Sequence, residues 1–69
     1  MKISARNQLK GKVKSLKHGP VSTEMVIGVA GGVDITSVVT ESAAKDLDLK
    51  KGTEVYAVIK ASNALIAVD

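Results

Sequence analysis

Apolar and polar residues alternate along most of the chain, with the period of two that marks half-buried strands. From Ile3 to Leu16 the positions Ile3, Ala5, Leu9 and Val13 fall on one face, and Lys10, Lys12 and Lys14 on the other. Gly11 lies within this stretch, where a bulge or sharp bend is expected. Lys17-His18-Gly19-Pro20 reads as a turn, since Gly permits positive φ and Pro fixes φ. A second strand is predicted from Val21 to Ala30, with Val21, Thr23, Met25, Ile27 and Val29 sharing a face. Gly31-Gly32 then forms a tight hairpin, and a third strand runs from Asp34 to Thr40 through Ile35, Val38 and Val39.

The period changes after Thr40. Thr40 or Ser42 can cap a short helix, Glu41 suits its first turn, and Ala43-Ala44-Lys45 has good helix propensity. Asp48 to Gly52 ends the helix and reverses the chain. A fourth strand is predicted over Glu54–Lys60, a turn at Ser62-Asn63, and a fifth strand over Ala64–Val68. Three strands, one short helix and two strands, with a bent first strand, is the order of an all-β, five-stranded OB-type barrel with its helix between strands 3 and 4. Residues 1–69 form a single domain, without repeat or linker.

Size changes the picture. The chain has 69 residues. A domain of that length buries only roughly 60% of its unfolded surface and is marginal alone. It has no Cys and one His, which excludes disulfides, thiolate metal sites and a multi-His cage within one chain. Oligomerisation is the remaining device. Hydrophobic residues make up 45% of the chain. That is more than so small an interior needs, so part of the apolar surface is expected to face other subunits.

The net charge of +3 favours anionic partners without naming one. Nucleic acid is a poor fit, because Tyr56 is the only aromatic residue and small barrels grip single strands by stacking. No segment reaches the apolar length of a membrane span, and no signal peptide opens the chain. The absence of Cys is compatible with a cytoplasmic location. No catalytic residues are assigned: His18 is the only imidazole and reads as a solvated turn residue, and no phosphate loop or zinc signature occurs. An enzyme is the most distant reading.

Anion binding is better supplied. A tetrahedral dianion needs convergent donors: hydroxyls, cationic side chains and free backbone N–H groups. Ser4 and Arg6 alternate on the first strand and so face one side. Thr40 and the amides of Ser42 and Ala43 lie at the helix start. Lys60 and the Ala61-Ser62 backbone lie at the end of strand four. Each group also has a structural reading: Ser4 and Arg6 as plain strand surface, Thr40 as a helix cap.

The opening Ile3-Ser4-Ala5-Arg6-Asn7-Gln8-Leu9-Lys10-Gly11 closely resembles the Ser-Ala-Arg-Asn-Gln-x-x-Gly start of the molbindins. The same module occurs in molybdate-responsive regulators and molybdate-transporter ATPases. Ile35 to Thr40, Leu47 to Val55 and Ala57 to Ser62 resemble later segments of that family, so the likeness runs through the chain in order. Asp48 departs from the family's Leu-Gly-Leu turn. The resemblance implies an OB-type barrel, assembled as a homohexamer (a trimer of dimers). It implies molybdate or tungstate bound at subunit interfaces for storage and homeostasis, with no catalytic cofactor, no directly coordinated metal and no nucleic-acid partner. The oxyanion set is Ser4, Ala5, Arg6, Thr40, Ser42, Ala43, Lys60 and Ala61. The turn carrying His18, Gly19, Val21 and Ser22 is the candidate lining of a second site near a three-fold axis. Met1 and an end just past the fifth strand lead us to expect a free-standing protein, not a domain cut from a regulator.

Overall fold

The computed structural model describes residues 2–69. Strand β1 spans Asn7–His18, β2 Ser22–Val29, β3 Val33–Thr40 and β4 Glu54–Ile59, with one helix, α1, over Glu41–Asp46. Short 3-10 turns occupy Ala30–Gly32 and Ala61–Asn63. The strands form one antiparallel, four-stranded sheet in the order β3-β2-β1-β4.

β1 serves two neighbours. Its first half pairs with β4, from Asn7 opposite Ile59 to Lys12 opposite Glu54, and its second half with β2, from Gly11 opposite Val29 to His18 opposite Thr23. The sheet coils where these pairings overlap, and glycine permits it. A Cβ on Gly11 would lie 2.4 Å from the Gly28 carbonyl oxygen and 3.0 Å from Val29 Cγ1. The bulge falls slightly later, between Val13 and Ser15, where the β1–β2 register shifts. It moves the inward face from odd to even positions: Val13 is buried before it, and Leu16 packs on the core after it.

The core is Val13, Met25, Ile27 and Ala57, flanked by Leu16, Val29, Ile35, Val39, Leu49 and Val55. The loop before β4 is tied to the middle of β1, with Val13 N–H donating to Thr53 O (3.0 Å) and Gly52 N–H to Val13 O (2.8 Å). At the β2–β3 reversal, Gly31 and Gly32 adopt φ of 82° and 74°. The hairpin requires this left-handed backbone, and glycine adopts it freely. The helix ends in a Schellman motif: Leu49 N–H donates to Ala44 O and Asp48 N–H to Lys45 O, both at 3.0 Å. Asp48 takes the left-handed position, with φ of 51°. The resembled family carries glycine there, and aspartate is among the few side chains that tolerate it.

Three expectations change. β1 begins at Asn7, so Ile3 to Arg6 precede the strand, and it runs on through His18. Val21, expected to open the second strand on the face of Thr23 and Met25, is 75% exposed in the turn before β2. Ala64–Val68, expected as a fifth strand, pairs with no strand of this chain: Leu65, Ile66 and Val68 are exposed at 92%, 90% and 91%. The outer edges of β3 and β4 therefore stay open, with an apolar groove of about 610 Å³ beneath them. Among the described residues, no helix is long and apolar enough to cross a membrane.

Candidate functional site

The pairing of Asn7 with Ile59 sets the geometry at one end of the sheet. Arg6 directly precedes Asn7 and Lys60 directly follows Ile59, so the segment before β1 and the turn after β4 adjoin at this end of the sheet. Two of the three donor groups chosen from sequence thus come together, although Ser4 and Arg6 do not alternate along a strand. They lie in bends, and Gln8 Nε2 pins the segment by donating to Ala5 O at 2.9 Å. Ser4, Arg6, Lys60 and Ala61 are exposed and Ala5 is half-buried. Lys60 sits at the entrance to a 3-10 turn in which Asn63 N–H donates to its carbonyl at 2.9 Å. Among the described residues neither Arg6 nor Lys60 has a carboxylate partner; the ion pairs are Lys14–Asp34, His18–Glu41 and Lys50–Asp48. Two cations on adjoining segments, neither held in an ion pair among the described residues, favour an anion.

The third group stands at the start of α1. Thr40, not Ser42, is the N-cap: Ala43 N–H donates to its Oγ1 at 3.1 Å. The Ala43 amide is thereby engaged within the chain, whereas the Thr40 hydroxyl keeps its own hydrogen for an outward bond. Ser42 is exposed on a shallow hollow it shares with Pro20, Val21, Thr40, Glu41 and Lys45. Glu41 N–H donates to Val21 O (2.9 Å), tying the helix to the turn.

Glu41 also anchors a polar cluster that sequence reasoning missed. Thr23 is fully buried, and its hydroxyl donates to Glu41 Oε2 at 2.8 Å. His18 Nδ1 lies 3.0 and 3.2 Å from the two carboxylate oxygens. The Thr23 hydrogen bond holds the Glu41 carboxyl below the ordinary glutamate range; partial burial opposes this, and His18 reinforces it. His18 is therefore not a free turn residue but the end of β1, bonded to the helix start. A signal for this existed: Thr23 alternates with Met25 and Ile27 on the inward face, and a buried hydroxyl demands a partner.

The turn proposed as a second site is largely self-contained. Gly19 N–H donates to Ser22 O at 2.8 Å, and His18 is held by Glu41. Val21 and Ser22 are exposed, and of the two only Val21 lines the hollow. Among the described residues, no group of three or more His, Cys, Asp or Glu is placed to hold a metal ion.

The two donor ends do not meet within one chain. Ser4, Arg6, Lys60 and Ala61 flank the start of β1, while Thr40, Ser42 and Ala43 lie beside its end. Twelve strand residues separate them, about 35–40 Å of strand before curvature. The helix contacts β2 and β3, on the far side of β1 from β4. The two donor groups therefore lie at opposite ends of β1.

A family profile described as the TOBE domain matches residues 3–66. Molybdenum-pterin-binding protein 3 of Clostridium pasteurianum is 50% identical over 66 residues, covering 96% of this chain and 97% of that protein. A probable molybdenum-pterin-binding protein of Haemophilus influenzae is 48% identical over the full length of both chains. Among solved structures, MopII from Clostridium pasteurianum superposes with a TM-score of 0.93 at 46% identity, over 97% of this chain and all of the other. A molybdate-binding protein from Sporomusa ovata superposes with a TM-score of 0.92 at 34% identity, over 99% of this chain and all of the other.

Proposed function

The chain belongs to the TOBE-domain family, and from that premise we propose that it binds molybdate reversibly, with tungstate as an equivalent ligand, as a cytoplasmic store. What supports this reading is the pairing of Asn7 with Ile59, which makes the segment carrying Ser4 and Arg6 adjoin Lys60, and neither cation has an ion-pair partner among the described residues. An oxyanion has a filled oxygen shell, so hydrogen bonds and charge hold it, without thiolate or imidazole ligation. Solved relatives named as molybdate-binding proteins support the choice of anion, and one of them is named as cytoplasmic.

The separation of the half-sites supports a site shared between copies. Ser4, Ala5, Arg6, Lys60 and Ala61 from one chain would meet Thr40, Ser42 and the helix start from another, in a hexamer built as a trimer of dimers. We assign no enzymatic activity. The Thr23–His18–Glu41 cluster brings a hydroxyl, an imidazole and a carboxylate together, but the hydroxyl is fully buried and donates to the carboxylate. Such a group cannot reach a substrate. A pterin or a nucleic-acid strand would require stacking surfaces, and Tyr56 is the one aromatic residue.

The test is thermal unfolding with four anions at equal ionic strength. Molybdate and tungstate should raise the transition, by about 2.7 kcal/mol of stabilisation at a hundred times Kd. Sulfate is smaller, and phosphate keeps a proton that donor-only sites cannot accept, so both should shift it far less. Equal shifts from all four would reduce the site to a generic basic patch and refute the reading.

A further inference from the structure

We infer that Thr23 and His18 are positioning residues for the anion: together they hold the Glu41 carboxylate away from the Thr40 and Ser42 hydroxyls on either side of it. The inference rests on the anion reading above and identifies what keeps an acidic side chain out of that half of the site.

The sequence sets up a conflict here. Glu41 stands between Thr40 and Ser42, two residues assigned to the oxyanion. All three border one hollow, which Lys45 also lines. A carboxylate offers only acceptors, so beside a dianion it repels and satisfies none of the oxygens. The first turn of a helix favours an acidic residue, but that preference does not say where the charge is directed.

The structure directs it from two sides. Thr23 lies opposite Val39 in the β2–β3 ladder and is fully buried. Its hydroxyl donates to Glu41 Oε2 at 2.8 Å. His18 Nδ1 meets both carboxylate oxygens, at 3.0 and 3.2 Å, from the solvent side: its side chain is 57% exposed, that of Glu41 19%. The Glu41 N–H is fixed on Val21 O at 2.9 Å, so the side chain is the freedom left to this residue. Lys45 lies one turn on, at the spacing where a glutamate ordinarily pairs across a helix surface. No Glu41–Lys45 ion pair forms among the described residues, and the carboxylate goes to the buried hydroxyl instead.

The hydroxyl at position 23 has no other purpose in the core. The residues that follow it on the same face, Met25 and Ile27, are apolar, and burying a hydroxyl costs free energy unless it is bonded. The bond from Thr23 also favours the charged carboxylate, holding its pKa below the ordinary range. The charge is therefore present at neutral pH and has to be aimed, not neutralised.

The test is calorimetric titration with molybdate, with light scattering to verify assembly. Thr23→Val keeps the shape of the side chain and removes the inner hold, freeing the carboxylate to swing into the hollow. A unit charge about 8–10 Å from a dianion in water-like surroundings raises Kd about 4- to 6-fold, and we expect a loss of that order. Adding Glu41→Gln to Thr23→Val removes the charge without restoring the lost hydrogen bond, and should recover most of the affinity. A purely structural role for Thr23 would not be rescued in this way. Thr23→Val binding like the parent overturns the inference, and so does a loss that Glu41→Gln leaves uncorrected. If Thr23→Val does not fold, His18→Ala, at an exposed residue, removes the outer hold and is judged by the same two comparisons. A parent protein that fails to bind molybdate refutes the anion reading itself, and this inference with it.

Discussion

Replacing Lys60 by alanine isolates the charge of the proposed site from the fold that presents it. The side chain is exposed and, among the described residues, has no ion-pair partner. The Lys60 backbone takes φ −62° and ψ 138°, and the bond from Asn63 N–H to its carbonyl does not involve the side chain. Alanine adopts that conformation without strain. Stability should therefore change by less than about 0.5 kcal/mol, as for an ordinary surface substitution. Binding should change much more. One charge-assisted hydrogen bond contributes about 1.5–3 kcal/mol, so Kd for molybdate should rise about 10- to 150-fold. Ser4→Ala deletes a neutral hydroxyl worth about 0.5–1.5 kcal/mol, an effect of about 2- to 12-fold. Lys12→Ala is the control. Lys12 is also exposed, but it pairs with Glu54 at the other end of the β1–β4 ladder. That end lies beyond the screening length of about 8 Å at physiological ionic strength. Calorimetric titration with molybdate, with light scattering to verify assembly, gives all three constants. If Lys60→Ala binds like the parent, or Lys12→Ala weakens binding as much, the assignment of the site to Arg6 and Lys60 fails.

Two other perturbations test the frame that carries the site. Gly11→Ala forces a Cβ to 2.4 Å from the Gly28 carbonyl oxygen. It should destabilise by about 1–3 kcal/mol, at about 4–8 °C per kcal/mol, and an unchanged melting temperature would show that β1 and β2 part freely there. Glu41 has a carboxyl held below its ordinary range, so its contribution is complete above the unfolded value and fades as pH falls through the lower, folded one. Urea unfolding from neutral to acid pH should therefore show a stability slope that Glu41→Gln reduces; an identical slope in both proteins would mean that the Thr23–Glu41–His18 cluster does not govern acid stability.

The ladders were legible because alternation survives wherever one face is buried. Thr23, Met25 and Ile27 were placed on one face from spacing alone, and they are the buried residues of β2. The bulge near Lys14 left a trace, since Val13 and Leu16 are three apart where a regular strand needs two or four; Gly11 drew attention first because glycine is the commoner marker of a bend. Its actual role is the close approach of β1 to β2. The start of β1 was misjudged because the residues before Asn7 alternate like a strand yet have no ladder partner, and ladder partners are a tertiary property. His18 and Glu41 lie 23 residues apart, and nothing local couples them. The donors of the site could be chosen by chemistry, but their grouping could not. That the segment before Asn7 adjoins the turn after Ile59 while Thr40 stands at the far end follows only from the order and register of the strands.

The proposed division of the site between copies has a physical rationale in chain length. A dianion removed from water needs donors on several sides, because each oxygen left without a partner loses the hydration it had. A domain of 69 residues has little interior to give to such a pocket without emptying its core. Here the core uses four buried apolar side chains and still leaves a groove. An anion held between copies avoids the conflict, since each chain supplies one face of donors and keeps its own interior apolar. Folding, association and anion binding then share one equilibrium. Anything that binds only the assembled form stabilises it, and the apparent affinity for the anion depends on protein concentration as well as on the site. A protein built on that linkage holds its ligand when both are abundant and releases it as either becomes scarce, which is the behaviour a reversible intracellular store requires.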